Sequence, residues 1–152
     1  MILLVQRVSR AEVRVGGDAV GKVGLGLVVL LGVERGDSRA DADVLARKLA
    51  ALRIFPGRTP MDLSIKDVGG GCLVVSQFTL AGSTRRGNRP SFERAEDPPL
   101  ANALYEYFVA RLVEAGISVA TGRFGAHMEV DLVNDGPVTF VLKARGGGLA
   151  ED

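Results

Sequence analysis

Residues 73–80, Leu-Val-Val-Ser-Gln-Phe-Thr-Leu, constrain the fold of this chain more than any other stretch. Leu73, Val74 and Val75 are consecutive apolar residues, so a strand through them points apolar side chains to both faces and needs cover on both. Gly69-Gly70-Gly71 bounds the run upstream and Ala81-Gly82-Ser83 downstream. The run turns polar at Ser76, Gln77 and Thr79, which brings hydrogen-bonding groups to the surface on a rigid support, an arrangement that suits a site. A core strand whose last residues simply meet solvent fits the same segment, and the segment alone leaves both readings open.

Further strands are expected on both sides of this one. Residues 1–9 alternate, with Leu3, Val5 and Arg7 on one face, and residues 11–15 alternate again before Gly16-Gly17-Asp18 supplies hairpin turn chemistry into 19–23. An arginine at position 7 either ends the buried part of its strand or holds a backbone carbonyl by charge-assisted hydrogen bonds. Residues 25–33 read as a central strand, 117–121 and 128–133 as later ones, and 138–142 as the last, entered through the turn signal Asn134-Asp135-Gly136-Pro137.

Two helices interrupt the strands. Ser38 with Asp41 three residues on predicts an N-cap, and Leu45, Leu49 and Leu52 follow at helical spacing. Pro98-Pro99 opens the second helix, whose expected apolar stripe is Leu100, Leu104, Phe108, Leu112 and Ala115, with Gly116 as its stop. The expectation is a mixed α+β fold, β-rich and barrel-like, of about seven to nine strands and two main helices. One domain is expected over residues 1–143, followed by a Gly-rich, flexible tail over 144–152.

Composition excludes several classes. With 47% hydrophobic and 24% charged residues in 152, the chain has an ordinary globular balance and can bury a core without disulfides or metal. The single Cys72 lies in an apolar strand and reads as core, which suits a reducing cytoplasm. No leader is expected, since Gln6, Arg7 and Arg10 interrupt the apolar start, and the run at 25–33 is too short to span a bilayer. One His and one Cys cannot build a His/Cys zinc site, and the Gly-rich stretches lack both a Walker ending and a helix-opening dinucleotide fingerprint. His127 is the one histidine a Ser-His-acid triad could use; beside Gly125 and Met128 it reads as a loop or rim residue. Neither cofactor nor metal is expected, and an enzyme built this way would work with backbone groups, hydroxyls and the substrate itself.

A net charge of +1 supplies no field over the whole molecule for nucleic acid. Arg85, Arg86, Arg89 and Arg94 nevertheless cluster directly after the Ser-Gln-Phe-Thr strand end, a location that favours phosphate contacts over idle surface.

Two motifs carry a resemblance. Ser76-Gln77-Phe78-Thr79, with Asn134-Asp135-Gly136-Pro137-Val138-Thr139, resembles the signature pair of the D-aminoacyl-tRNA deacylases, the D-tyrosyl-tRNA deacylase family. Gln6-Arg7-Val8-Ser9, Leu30-Leu31-Gly32-Val33, Leu52-Arg53-Ile54-Phe55, Arg89-Pro90-Ser91-Phe92 and Thr121-Gly122-Arg123-Phe124-Gly125 extend the likeness in order up to about Lys143. Residues 56–61, His127 and the tail depart from the pattern without touching either motif.

The resemblance implies hydrolysis of the ester of D-aminoacyl-tRNA, with glycyl-tRNA also admitted, by a cytoplasmic homodimer whose sites lie at the subunit interface, with no membrane or DNA partner. It implies a cis Gly136-Pro137 peptide that reaches into the partner's pocket and offers carbonyls to the substrate's α-amino group, with L-residues excluded sterically. Ser76, Gln77, Phe78 and Thr79 would be the catalytic strand end, with backbone N–H groups near Gln77 and Phe78 holding the oxyanion and the 2′-hydroxyl of the terminal adenosine assisting. Arg7 would brace the Gly136-Pro137 element and Met128 would line the pocket. Phe78 fits equally a place bordering the adenosine and a place in the core. Two other readings are a non-catalytic RNA-binding module using the arginine loop at 85–94, and a dimeric small-ester or small-amide hydrolase indifferent to RNA.

Overall fold

The computed structural model describes residues 1–150. Its strands are β1 (Ile2–Val15), β2 (Asp18–Val23), β3 (Gly26–Gly32), β4 (Gly71–Ser76), β5 (Ser118–Thr121), β6 (Glu129–Arg145) and β7 (Gly148–Leu149). Its helices are α1 (Arg39–Ala51) and α2 (Pro98–Glu114). The fold is α+β, a curled sheet of order β5-β4-β3-β1-β6-β7 with β2 added to β1.

β1 is the spine. Its first half pairs antiparallel with β3 on one side and β6 on the other; its second half keeps β6 and exchanges β3 for β2. Gly16 and Gly17, at φ +57° and +87°, make the β1–β2 turn, a conformation that side-chain-bearing residues rarely adopt. β3, β4 and β5 run parallel, and long connections containing the helices join them on one face.

The curl explains why residues 73–75 are apolar throughout. Cys72 and Val74 face a large core shared with Leu45 and Leu49 of α1 and Phe108 and Leu112 of α2. Leu73 and Val75 face a second core with Val8, Ala11, Val13 and Val28, against which Val20, Val23, Met128 and Leu132 pack. All four residues of β4 from Cys72 to Val75 are 2% exposed or less. Burial pushes the Cys72 thiol up to about 12, which leaves it an inert core group.

Three expectations are corrected. Residues 134–137 are no turn between two strands: the residues on either side pair with the same strand, because Gln6 lies opposite Thr139 and Val8 opposite Asn134, and 134–138 bulges out of one long β6. The stripe of α2 is Ala101, Tyr105, Phe108 and Leu112, while Leu100 is 59% exposed, since the helix turns a seven-residue repeat to the sheet rather than a four-residue one. Tail residues 144–150 are built in. β6 runs to Arg145 and pairs with β7, and Ala144 is 2% exposed and accepts a bond from the N-terminal ammonium at 2.8 Å. The Gly147 N–H donates to Asp41 Oδ1 at 2.8 Å. The rest of the expected tail, Glu151 and Asp152, lies outside the described residues.

Asp41 is thus more than a cap. Ser38 donates to its Oδ2 from the backbone N–H at 2.9 Å and from the hydroxyl at 3.3 Å, while the other oxygen fixes the Gly147 turn. Burial alone would raise its pKa, but the N–H groups of Gly147 and Ser38 and the nearby N-terminal ammonium prevail and hold the carboxyl below its ordinary value.

Candidate active site at the end of β4

β4 stops because its partner does. Ser76 is the last residue paired with β3, and the Gln77 N–H extends the ladder by one bond to Leu31 O at 2.8 Å. Residues Phe78–Ala81 then coil into a single 3-10 turn. Gly32 permits the turn to lie against the end of β3: a Cβ there would stand 2.8 Å from Leu80 Cβ and 3.1 Å from Gln77 O. Within the turn, Gln77 Nε2 donates to the Thr79 hydroxyl.

The strand end opens on a cleft of about 610 Å³. Ser76, Gln77 and Phe78 form one wall, Phe92 and the 95–98 segment a second, and Phe124, His127 and Met128 a third. Phe78 is 58% exposed and meets Phe92 edge to face at 5.1 Å, so it is a cleft aromatic and not a core one. Met128 is seated by the Arg123 N–H, 3.4 Å from its sulfur, and by Gly122, where a Cβ would come within 2.7 Å of that sulfur. Behind the cleft, the Tyr105 hydroxyl of α2 donates to Val74 O at 2.8 Å, and its ring packs 6.1 Å from that of Phe124. Burial pushes this phenol up to about 12, so it remains a donor that ties helix, strand end and third wall together.

Arg35 fixes the second wall. Its Nε donates to Glu93 O at 2.9 Å, its backbone N–H to Arg94 O at 2.8 Å, and its Nη2 meets Asp97 Oδ1 at 3.2 Å.

The second motif forms a separate, convex feature. In the β6 bulge, Asn134 Oδ1 accepts the Val138 N–H at 2.8 Å and Asn134 Nδ2 donates to the Thr139 hydroxyl at 2.9 Å. The Gly136–Pro137 peptide is cis, Gly136 has φ +134°, and both residues are exposed. Arg7 lies beneath, 9% exposed, donating from Nε to Asp135 O at 3.0 Å and from Nη1 to Ile54 O at 2.8 Å. Arg7 therefore holds carbonyls; it does not mark the end of a buried strand.

The structure brings Ser76, Gln77, Phe78 and Met128 to one cleft. Thr79 is exposed on the turn beside it, and Arg7, Gly136 and Pro137 do not line it. The Gln77 N–H, expected as an oxyanion donor, is engaged by Leu31 O. The first N–H groups of a helical turn find no carbonyl within it, which leaves those of Phe78 and Thr79 without a partner in their own turn. Phe92, Phe124 and Arg35 had no site role from the residues alone. Isolated aromatics in Gly- and Arg-rich loops were the available signal for the first two, whereas nothing local marks Arg35, whose partners lie 58 and 62 positions away.

A curled sheet backed by two helices, with an aromatic-walled cleft at a strand end, defines a D-aminoacyl-tRNA deacylase-like fold. A solved structure of a probable eukaryotic D-amino acid tRNA deacylase shares this fold, with a TM-score of 0.79 at 18% identity, covering 92% of this chain and 97% of that one. The c-Myc DNA Unwinding Element Binding Protein superposes with a TM-score of 0.90 at 36% identity, covering 96% of this chain and all of that one (100%). A D-aminoacyl-tRNA deacylase of Anaeromyxobacter dehalogenans is 58% identical over 146 residues, 95% of this chain and 98% of the relative. One of Aeromonas hydrophila is 55% identical over 144 residues, 94% and 99% of the two chains. The family model for D-Tyr-tRNA(Tyr) deacylase matches residues 4–143, and the chain belongs to that family of ester hydrolases.

Proposed function

We propose that this protein hydrolyses the ester bond of D-aminoacyl-tRNA, releasing the free D-amino acid and the tRNA, in the cytoplasm and without a cofactor. The observation that carries this reading is the cleft at the end of β4, built from Ser76, Gln77 and Phe78 in a chain of the deacylase family. The ester carbonyl faces this strand end, and the N–H groups of Phe78 and Thr79 receive the developing oxyanion. Thr79 is not the nucleophile on this account. Its hydroxyl accepts a bond from the neutral carboxamide of Gln77, which cannot take its proton, so it positions substrate. The 2′-hydroxyl of the terminal adenosine assists attack by water, with Phe78 bordering the adenosine.

The working unit is a homodimer. An exposed bulge braced by a buried arginine is a support for contact with another molecule, and Val133 and Phe140 beside it on β6 are 39% and 41% exposed. Gly136 and Pro137 enter the partner's cleft and accept the substrate's α-amino group on their carbonyls. With amino group and carbonyl fixed, a D side chain points outward and an L side chain meets backbone, so chirality is decided sterically and glycine is admitted.

The test is hydrolysis of matched D-tyrosyl-tRNA and L-tyrosyl-tRNA by the purified protein. Rapid loss of the D-ester with the L-ester intact is expected. Inertness towards both with tRNA bound would leave an RNA-binding module, and equal cleavage of both would remove chiral selection.

A further inference from the structure

A second concavity, of about 510 Å³, is lined by Ser83, Arg85, Arg86, Ser91, Glu93 and Arg94. It shares one segment with the candidate active site: Phe92 lines the first cleft while its neighbours Ser91 and Glu93 line the second. The segment 91–93 thus contributes to both.

The basic pocket is held in place, although its residues belong to a loop. Ser83 and Ser91 exchange two backbone hydrogen bonds of 2.8 Å, which close the base of the loop. Arg35 grips Glu93 O and Arg94 O, and the Glu96 N–H reaches Val33 O at 3.0 Å. Bonds to Val33 and Arg35, just after β3, therefore fix the wall that both concavities use.

Its charge is unbalanced. Three guanidinium groups face one carboxylate. Among the described residues Arg94 is paired only with Glu34, at 3.9 Å and with its own side chain 64% exposed, a weak contact in water. Arg85 and Arg86 enter no ion pair among the described residues, on a molecule whose net charge is only +1. Guanidinium groups with serine hydroxyls beside them match the planar, multiple hydrogen bonding that phosphate oxygens accept.

We propose that this pocket binds the phosphodiester joining the last two nucleotides of the RNA 3′ end, while the terminal nucleoside and its ester occupy the adjoining cleft. The inference rests on the deacylase reading and names what holds the substrate's backbone. A nucleotide's 5′-phosphate and its 3′-ester flank one ribose, and the two concavities flank one segment, 91–93. Arg85 and Arg86 act on binding alone, since neither lines the reacting cleft.

The experiment compares the wild type with the double variant Arg85→Gln/Arg86→Gln on three D-tyrosyl esters: of adenosine, of cytidylyl-adenosine and of tRNA. In the wild type, kcat/KM is expected to rise about tenfold on adding the first phosphodiester, the scale of one charge-assisted contact. The double variant should lose that rise, show a shallower salt dependence on tRNA, and cleave the adenosine ester at the wild-type rate. Inorganic phosphate should compete with the dinucleotide ester but not with the adenosine ester. An undiminished rise in the variant, an equal loss on all three esters, or equal inhibition of both small esters by phosphate would overturn the proposal. Wild-type inertness towards every ester would instead overturn the deacylase reading on which it rests.

Discussion

The two motifs of this chain end up in opposite kinds of place. The 76–78 segment, with Thr79 on the turn beside it, forms part of a concave site with walls from three parts of the chain, each fixed from behind by Tyr105, Arg35 or Gly122. The 134–138 segment is convex, exposed at its tip and held from beneath by one buried side chain, Arg7. A concave surface is shaped to receive and a convex one to be received, and here the two do not meet within one copy. On our account a complete site takes the concavity from one subunit and the bulge from the other.

Substitutions that break the convex half should have the largest effects. Gly136→Ala forces a side chain onto φ +134° with its Cβ 2.7 Å from Val138 Cγ2 and 3.1 Å from the Val138 N. Displacing the bulge should lower kcat/KM on D-tyrosyl-tRNA roughly a hundredfold, the scale of a misplacement of about 1 Å. Circular dichroism should show an unchanged fold. Pro137→Ala should lower D/L selectivity, read by the ratio of rates on the two tyrosyl esters; an unchanged ratio would detach chirality from this element.

Arg7→Ala comes next. It strips donors from the carbonyls of Asp135 and Ile54, and should lower unfolding stability by about 3 kcal/mol in urea titrations. Activity should fall at temperatures where the variant is still folded, because the bulge loses its support.

Thr79→Ala, on the concave side, should lower activity only about fivefold to tenfold, one positioning hydrogen bond's worth. Complete loss, with an acyl-Thr79 adduct isolable from the native protein, would overturn the substrate-assisted mechanism.

Asp41→Asn touches neither half and should leave the rate at saturating substrate unchanged. Because the folded carboxyl is held below its ordinary value, it contributes stability that is present above about pH 4 and lost as pH falls through the folded value. The variant should be less stable by about 1 kcal/mol at neutral pH. Its stability should also fall less steeply on acidification, measured by thermal unfolding between pH 3 and about 6.

How much was legible follows the same contrast. Ser38 with Asp41, Pro98-Pro99 and Gly16-Gly17 are local signals, and local physics places α1, α2 and the first hairpin. The end of β4 was legible too, since an apolar run that turns polar reports its own emergence from the core. Asn134-Asp135-Gly136-Pro137 misled because turn chemistry and bulge chemistry use the same residues, and only the shared partner β1 distinguishes them. The order of residues 144–150 rests on Asp41, over a hundred positions away, which composition cannot report. Arg35 was illegible for the same reason: a surface arginine becomes a clamp only through partners that folding brings to it.

The most direct test of the composite site is subunit complementation. Gly136→Ala chains and Phe78→Ala chains, each nearly inactive alone, are mixed, exchanged and assayed on D-tyrosyl-tRNA. If the bulge of one copy completes the cleft of the other, half the randomly mixed dimers carry one intact site of two, and about a quarter of wild-type activity should return. If both motifs served a site within one copy, no mixed dimer would hold an intact site, and the mixture would stay as inactive as its parts.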